Sequence, residues 1–144
     1  MVSTTGEIIM DELKRILSEW LSFFFCDNRY QVTRSEIGRS FNDAFIEFSS
    51  DSLIWRLVND RSQVLLSCRS VHRVYKEWEW YSIDLLYRLI NKKRLLTAVL
   101  NYEIAQWIKA NLFLIEEKFS TSCLEQTERE LKKLEKIRVK EMFG

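Results

Sequence analysis

The spacing of apolar positions changes period twice along this chain, from helical to alternating and back to helical. Between about Gly6 and Phe24, the residues Ile9, Leu13, Ile16, Leu17, Trp20 and Leu21 recur on one helical face, and Glu12, Lys14, Arg15 and Glu19 mostly occupy the other. This predicts a first helix. Thr4 and Glu7 have the spacing of a capping box, and Gly6 weakens the first turn. Phe23, Phe24 and Phe25 lead out of the helix into an Asp27-Asn28 turn.

The middle of the chain alternates. Arg29 to Phe41 does so weakly, through Tyr30, Val32 and Ile37, and predicts a first strand before a break at Asn42-Asp43. Ala44 to Ser49 is the next strand, with Ala44, Ile46 and Phe48 opposite Phe45 and Glu47. After a turn at Ser50-Asp51 come strands over Leu53 to Val58 and Gln63 to Arg69, joined by Asn59-Asp60-Arg61-Ser62. Connections this short favour antiparallel neighbours, so the sheet should be a meander. Both faces carry apolar residues: Leu53, Trp55 and Leu57 oppose Ile54 and Val58, and Val64, Leu66 and Cys68 oppose Leu65. Helices are therefore expected on one face, with partial cover from a loop or a partner on the other.

Ser70 to Trp80 reads as an irregular link containing His72, Tyr75, Trp78 and Trp80. Helical spacing returns from Ser82 with Ile83, Leu86, Tyr87 and Ile90, and Asp84 suits the positive end of the helix dipole. Asn91-Lys92-Lys93 breaks this helix. A third helix then carries Leu96, Leu100, Ile104, Trp107, Ile108 and Ile115 up to about Phe119. A last one starts near Ser122, with Glu125 completing a capping box. Its apolar seam of Leu124, Leu131, Leu134 and Ile137 is narrow, and it fits a helix pair, either antiparallel with the third helix or with a second copy in a homodimer. The predicted fold is α+β: an antiparallel meander of about four strands, one helix before it and about three after. Residues 1–144 read as a single domain, with 120–143 a charged C-terminal helix.

Composition narrows the function. Apolar residues make up 47% of the 144 positions, enough for a core, and the 19 aromatic rings (five Trp, five Tyr, nine Phe) can supply it and a contact surface as well. With 22 basic and 21 acidic residues the net charge is +1, against the marked excess a general nucleic-acid binder needs. No proline and only three glycines leave no phosphate-cradling loop. Cys26, Cys68 and Cys123 are scattered, which predicts free thiols and a cytoplasmic location. Met1 to Asp11 lacks the pattern of a signal peptide, and no apolar run is long enough for a membrane span.

Candidate chemistry is sparse. His72 is the only histidine, and a nucleophile pair with Cys68 would still need an oxyanion donor. Glu77 with Glu79, or Asp60 with Glu47, would be acid–base pairs only if brought together in a site that shifts their pKa values. No catalytic residue, cofactor site or metal site is expected. Arg56, Asp60, Arg61 and Arg69 surround the predicted hairpin. They read as solubilising charges, with Asp60 capping its own turn, or as a recognition patch for carboxylates on a partner. Trp78 and Trp80 either pack the link onto the sheet or form a protein-binding hot spot. Lys92-Lys93-Arg94 suits a helix C-terminus.

Phe41-Asn42-Asp43-Ala44-Phe45, Val58-Asn59-Asp60-Arg61-Ser62-Gln63-Val64 and Trp80-Tyr81-Ser82-Ile83-Asp84 resemble segments of a set of small, uncharacterised bacterial proteins. In these a D-R-x-Q-V hairpin precedes a W-Y-x-[IL]-[DE] helix start, and some are similar to immunity proteins of toxin systems. The resemblance covers about a third of the chain and brings neither catalytic residues nor a site. The expected function is non-enzymatic: a protein-binding module, in one version an immunity-type protein acting by steric occlusion. Its surface would include Arg56, Asp60, Arg61, Trp78 and Trp80. The alternative is a nucleic-acid-associated module using Lys92, Lys93, Arg94 and the basic side of the last helix.

Overall fold

A computed structural model describes residues 4–38 and 43–143. The predicted break at Asn42, and Phe41 before it, lie outside the described residues. Helix α1 spans Thr5–Glu19, shorter than the predicted stretch to Phe24, and Ser22–Phe25 forms a separate 3-10 turn. Thr4 Oγ1 accepts a hydrogen bond from the Glu7 amide at 3.1 Å, as an N-cap does. Gly6 is small for a reason: a Cβ there would sit 2.3 Å from Ile37 Cγ2.

Five strands follow: β1 (Gln31–Ile37), β2 (Ala44–Ser49), β3 (Leu53–Asp60), β4 (Gln63–Ser70) and β5 (Tyr81–Ser82). They pair antiparallel in sequence order, β1-β2-β3-β4-β5, so the predicted meander is present with a short fifth strand added. The β3–β4 loop is only Arg61-Ser62, with φ of 53° and 70°. Left-handed backbone at both positions matches the twist of a tight hairpin. Asn59, not Asp60, caps this turn: its Oδ1 accepts from the Ser62 amide at 3.2 Å.

Helices α2 (Ile83–Asn91), α3 (Tyr102–Lys118) and α4 (Leu124–Phe143) complete the fold. The third helix begins later than its apolar spacing predicts. Leu96 is almost fully exposed, and residues 93–101 form a loop in which Val99 bridges Leu65 at the outer edge of β4. Asn101 caps α3, accepting from the Ile104 amide at 2.8 Å. The start of α4 also differs: the Ser122 hydroxyl lies near Ser120 Oγ and Cys123 Sγ instead of capping the helix. The mate of α4 within the chain is α2, not α3.

One face of the sheet meets the helices. Ile46 and Phe48 of β2, Leu53, Trp55 and Leu57 of β3, and Leu66 and Cys68 of β4 are buried there with Leu13, Phe24, Ile83, Ile108 and Phe119. Rings of Phe24, Tyr30, Phe48 and Trp55 contact one another at centroid separations of 4.9 to 6.4 Å. Such rings give large apolar burial and favourable edge contacts. No described helix is long and apolar enough to cross a membrane.

Candidate functional site

Residues whose side chains alternate away from the core form the second face. Cross-strand register puts Glu47 opposite Arg56, Phe45 opposite Val58, and Ile54 opposite Arg69. These side chains are only half-buried, except Glu47, which is buried. Arg56 donates from Nε to Glu47 Oε2 at 2.9 Å, and its second guanidinium nitrogen lies 2.8 Å from the same oxygen.

The arginines on this face stack on aromatic rings. Arg34 lies 5.1 Å from the Phe45 centroid, and Arg56 lies 4.1 Å from Phe45 and 4.9 Å from Trp80. Arg69 lies 4.0 Å from Trp80 and 5.3 Å from Tyr75. The result is a ladder from β1 to the link, alternating cation and ring. Arg69 donates to the backbone carbonyls of Lys76 and Glu79, both at 3.0 Å. Burial lowers its pKa, partly offset by the charge of Glu47. Planar guanidinium groups held in this way keep unused donors in a fixed orientation.

The predicted patch therefore divides. Arg56 and Trp80 meet in the ladder. Asp60 and Arg61 lie at the hairpin tip, about 13 Å further along β3 from Arg56. Arg61 is nearly free of contacts there, 92% exposed and 3.9 Å from Asp60. Trp78 stands at the rim of the face, 76% exposed, with the Lys76 ammonium 5.3 Å from its ring. Val74 in the same link is also fully open to solvent.

Two carboxylates, the buried Glu128 and the partly buried Glu116, tie the helices to the sheet, and neither is visible in the spacing of the sequence. Glu128 of α4 accepts from Tyr81 Oη at 2.6 Å and from Tyr75 Oη at 3.1 Å, with Arg73 Nε at 3.0 Å. Burial, reinforced by Glu128, pushes both tyrosine hydroxyls well above their ordinary pKa. Glu116 of α3 plays the same part on the other side of the core. It accepts from Tyr30 Oη at 2.7 Å and from Arg29 at 3.0 Å through both oxygens. Among the described residues no buried side-chain nitrogen or oxygen lacks a hydrogen-bond partner, so these networks are closed. A signal existed for them only as lone glutamates within otherwise apolar helical faces.

The chemical pairs considered from sequence are not assembled. Cys68 is fully buried and burial pushes its thiol up, whereas His72 is exposed. Glu79 accepts from the Lys76 amide at 2.9 Å, which lowers its pKa, and it lies 3.7 Å from Lys132. Glu47 is bound to Arg56, with Asp60 at the far end of the strand. Among the described residues no group of three His, Cys, Asp or Glu side chains is placed to hold a metal ion. Of the basic run, Lys92 is the left-handed C-cap of α2, at φ 59°, and Arg94 lies 3.8 Å from Glu141.

No protein-family model, curated protein or solved structure matches this chain.

Proposed function

We propose that this protein is a non-enzymatic module that binds another protein through the sheet face turned away from the core and the tryptophan rim beside it. The observation that carries this reading is the Arg56–Trp80–Arg69 stack, half-buried on the sheet face turned away from the core. Arginine and tryptophan are the residues on which binding energy concentrates, and here they are ordered before any partner arrives. Carboxylates on the partner would find oriented guanidinium donors, and Trp78 would be buried at the margin. In one version the partner is a toxin, and occupation of its surface blocks it by steric occlusion, with Arg61 at the hairpin tip adding charge complementarity.

Cross-linking followed by affinity capture from the cells that make the protein tests this, with Trp78→Ala and Arg61→Glu as companions. The expected result is a protein captured by the wild type and weakened by roughly 2 kcal/mol or more with Trp78→Ala. Arg61→Glu should slow association and change its salt dependence. Capture of no protein, or equal capture by all three, would overturn the proposal.

A further inference from the structure

Among the described residues no strand lies beside the outer edge of β1: β1 ends the sheet order, and all of Gln31–Ile37 is exposed. Exposed edges invite pairing, and natural proteins usually guard them with charges and bulges. Both guards are present, in the register shift between Val32 and Arg34 and in the charges of Arg34 and Glu36. Their arrangement has a second property. The Gly38 amide donates to Asp43 O at 2.8 Å, toward β2. Backbone direction alternates along an antiparallel strand, so Glu36 and Arg34 also bond inward, while Ser35 and Ile37 turn their N–H and C=O groups to the free edge.

We infer that β1 pairs with β1 of a second copy of this chain, antiparallel and centred on Ser35. In that register Ser35 opposes its own counterpart in a hydrogen-bonded pair. Arg34 of each copy stands directly opposite Glu36 of the other. The pair that Arg34 and Glu36 make within one strand, at 2.5 Å, becomes two pairs between strands. A parallel arrangement, or a shift by one residue, loses this match. Among possible occupants of the edge, the same sequence running the other way is the one whose charges fit. The two-fold axis stands perpendicular to the sheet, so the arginine-bearing faces of the two copies become one continuous surface. The contact is a single short strand per copy, so the dimer forms and dissociates with concentration. It stands independently of which protein the sheet face binds.

Sedimentation equilibrium of the full chain from about 1 μM to about 1 mM tests it. The expected mass rises from one chain toward two. Arg34→Glu places Glu against Glu twice and should weaken association roughly tenfold or more. The double swap Arg34→Glu with Glu36→Arg should restore it. Ser35→Pro removes the outward N–H at an edge position that tolerates proline, and should abolish the dimer while circular dichroism stays unchanged. A single-chain mass throughout would overturn the inference. So would association that is indifferent to Arg34→Glu, or that the double swap fails to restore.

Discussion

Glu128 holds three groups at once, the hydroxyls of Tyr75 and Tyr81 and the guanidinium of Arg73, and all three lose their acceptor if it is removed. Glu128→Ala should therefore destabilise the fold by about 2–4 kcal/mol, read from the midpoint of urea unfolding at constant slope. The tyrosines make a second prediction. Tyr30 and Tyr81 are buried, and their hydroxyls are raised above the ordinary value near 10, by burial first and by Glu116 and Glu128 second. The folded state keeps these protons at a pH where the unfolded chain has lost them. The unfolded state then binds fewer protons, and stability must fall as pH rises. Their contribution is complete below pH ~10 and declines above it by about 1.4 kcal/mol per pH unit for each tyrosine. Urea midpoints at pH 8, 9, 10 and 11 check the sign; a midpoint that rises above pH 10 would contradict it. At the hairpin tip, Arg61 and Ser62 occupy left-handed backbone that favours Asn and Gly. Arg61→Asn with Ser62→Gly should raise stability by about 1–2 kcal/mol in the same assay, because the positive φ then costs less.

Helix α4 shows how unevenly one element is held. Its first half buries Leu124, Thr127, Glu128 and Leu131, whereas Ile137, Val139, Met142 and Phe143 are exposed. The second half depends on ion pairs, Arg138 to Asp84 at 3.0 Å and Glu141 to Arg88 at 2.8 Å. Arg138→Ala should speed amide exchange over the last two turns and change global stability by less than ~1 kcal/mol. Equal protection along the whole helix would show that the ion pairs contribute nothing local. Much of the element pattern was legible in sequence: β2, β3, β4, α1 and α2 each carry a period that burial enforces. What escaped was set by contacts rather than period. Leu96 and Leu100 continue the helical spacing of α3, yet Leu100 donates its amide to Val64 O at 2.8 Å and belongs to the sheet edge. Asn101 was the readable start signal, since its side chain caps the helix that follows. The short strand β5 has too few residues for any alternation to show. The ladder was half legible. Arg56 and Trp80 were singled out one by one, but their meeting depends on where the link returns along β4, which no local pattern encodes.

At the scale of the whole molecule, Arg29–Glu116 and Tyr81–Glu128 join distant parts of the chain to one core. Helices fixed in this way should not melt separately. Far-ultraviolet and near-ultraviolet transitions are expected to coincide in a single step, and two separated steps would show that α3 and α4 form an independent unit. The strand order also governs how the chain acquires its form during synthesis. Each strand from β2 to β5 pairs with the strand made just before it, so hairpins can close while the ribosome is still adding residues. Residues of α1 and α2 cover part of the apolar underside of those hairpins, and the rest stays wet until Ile108, Ile115 and Phe119 have emerged. A chain stalled before Tyr102 should thus hold a sheet that seeks chaperones, and release from them should track the arrival of the third helix.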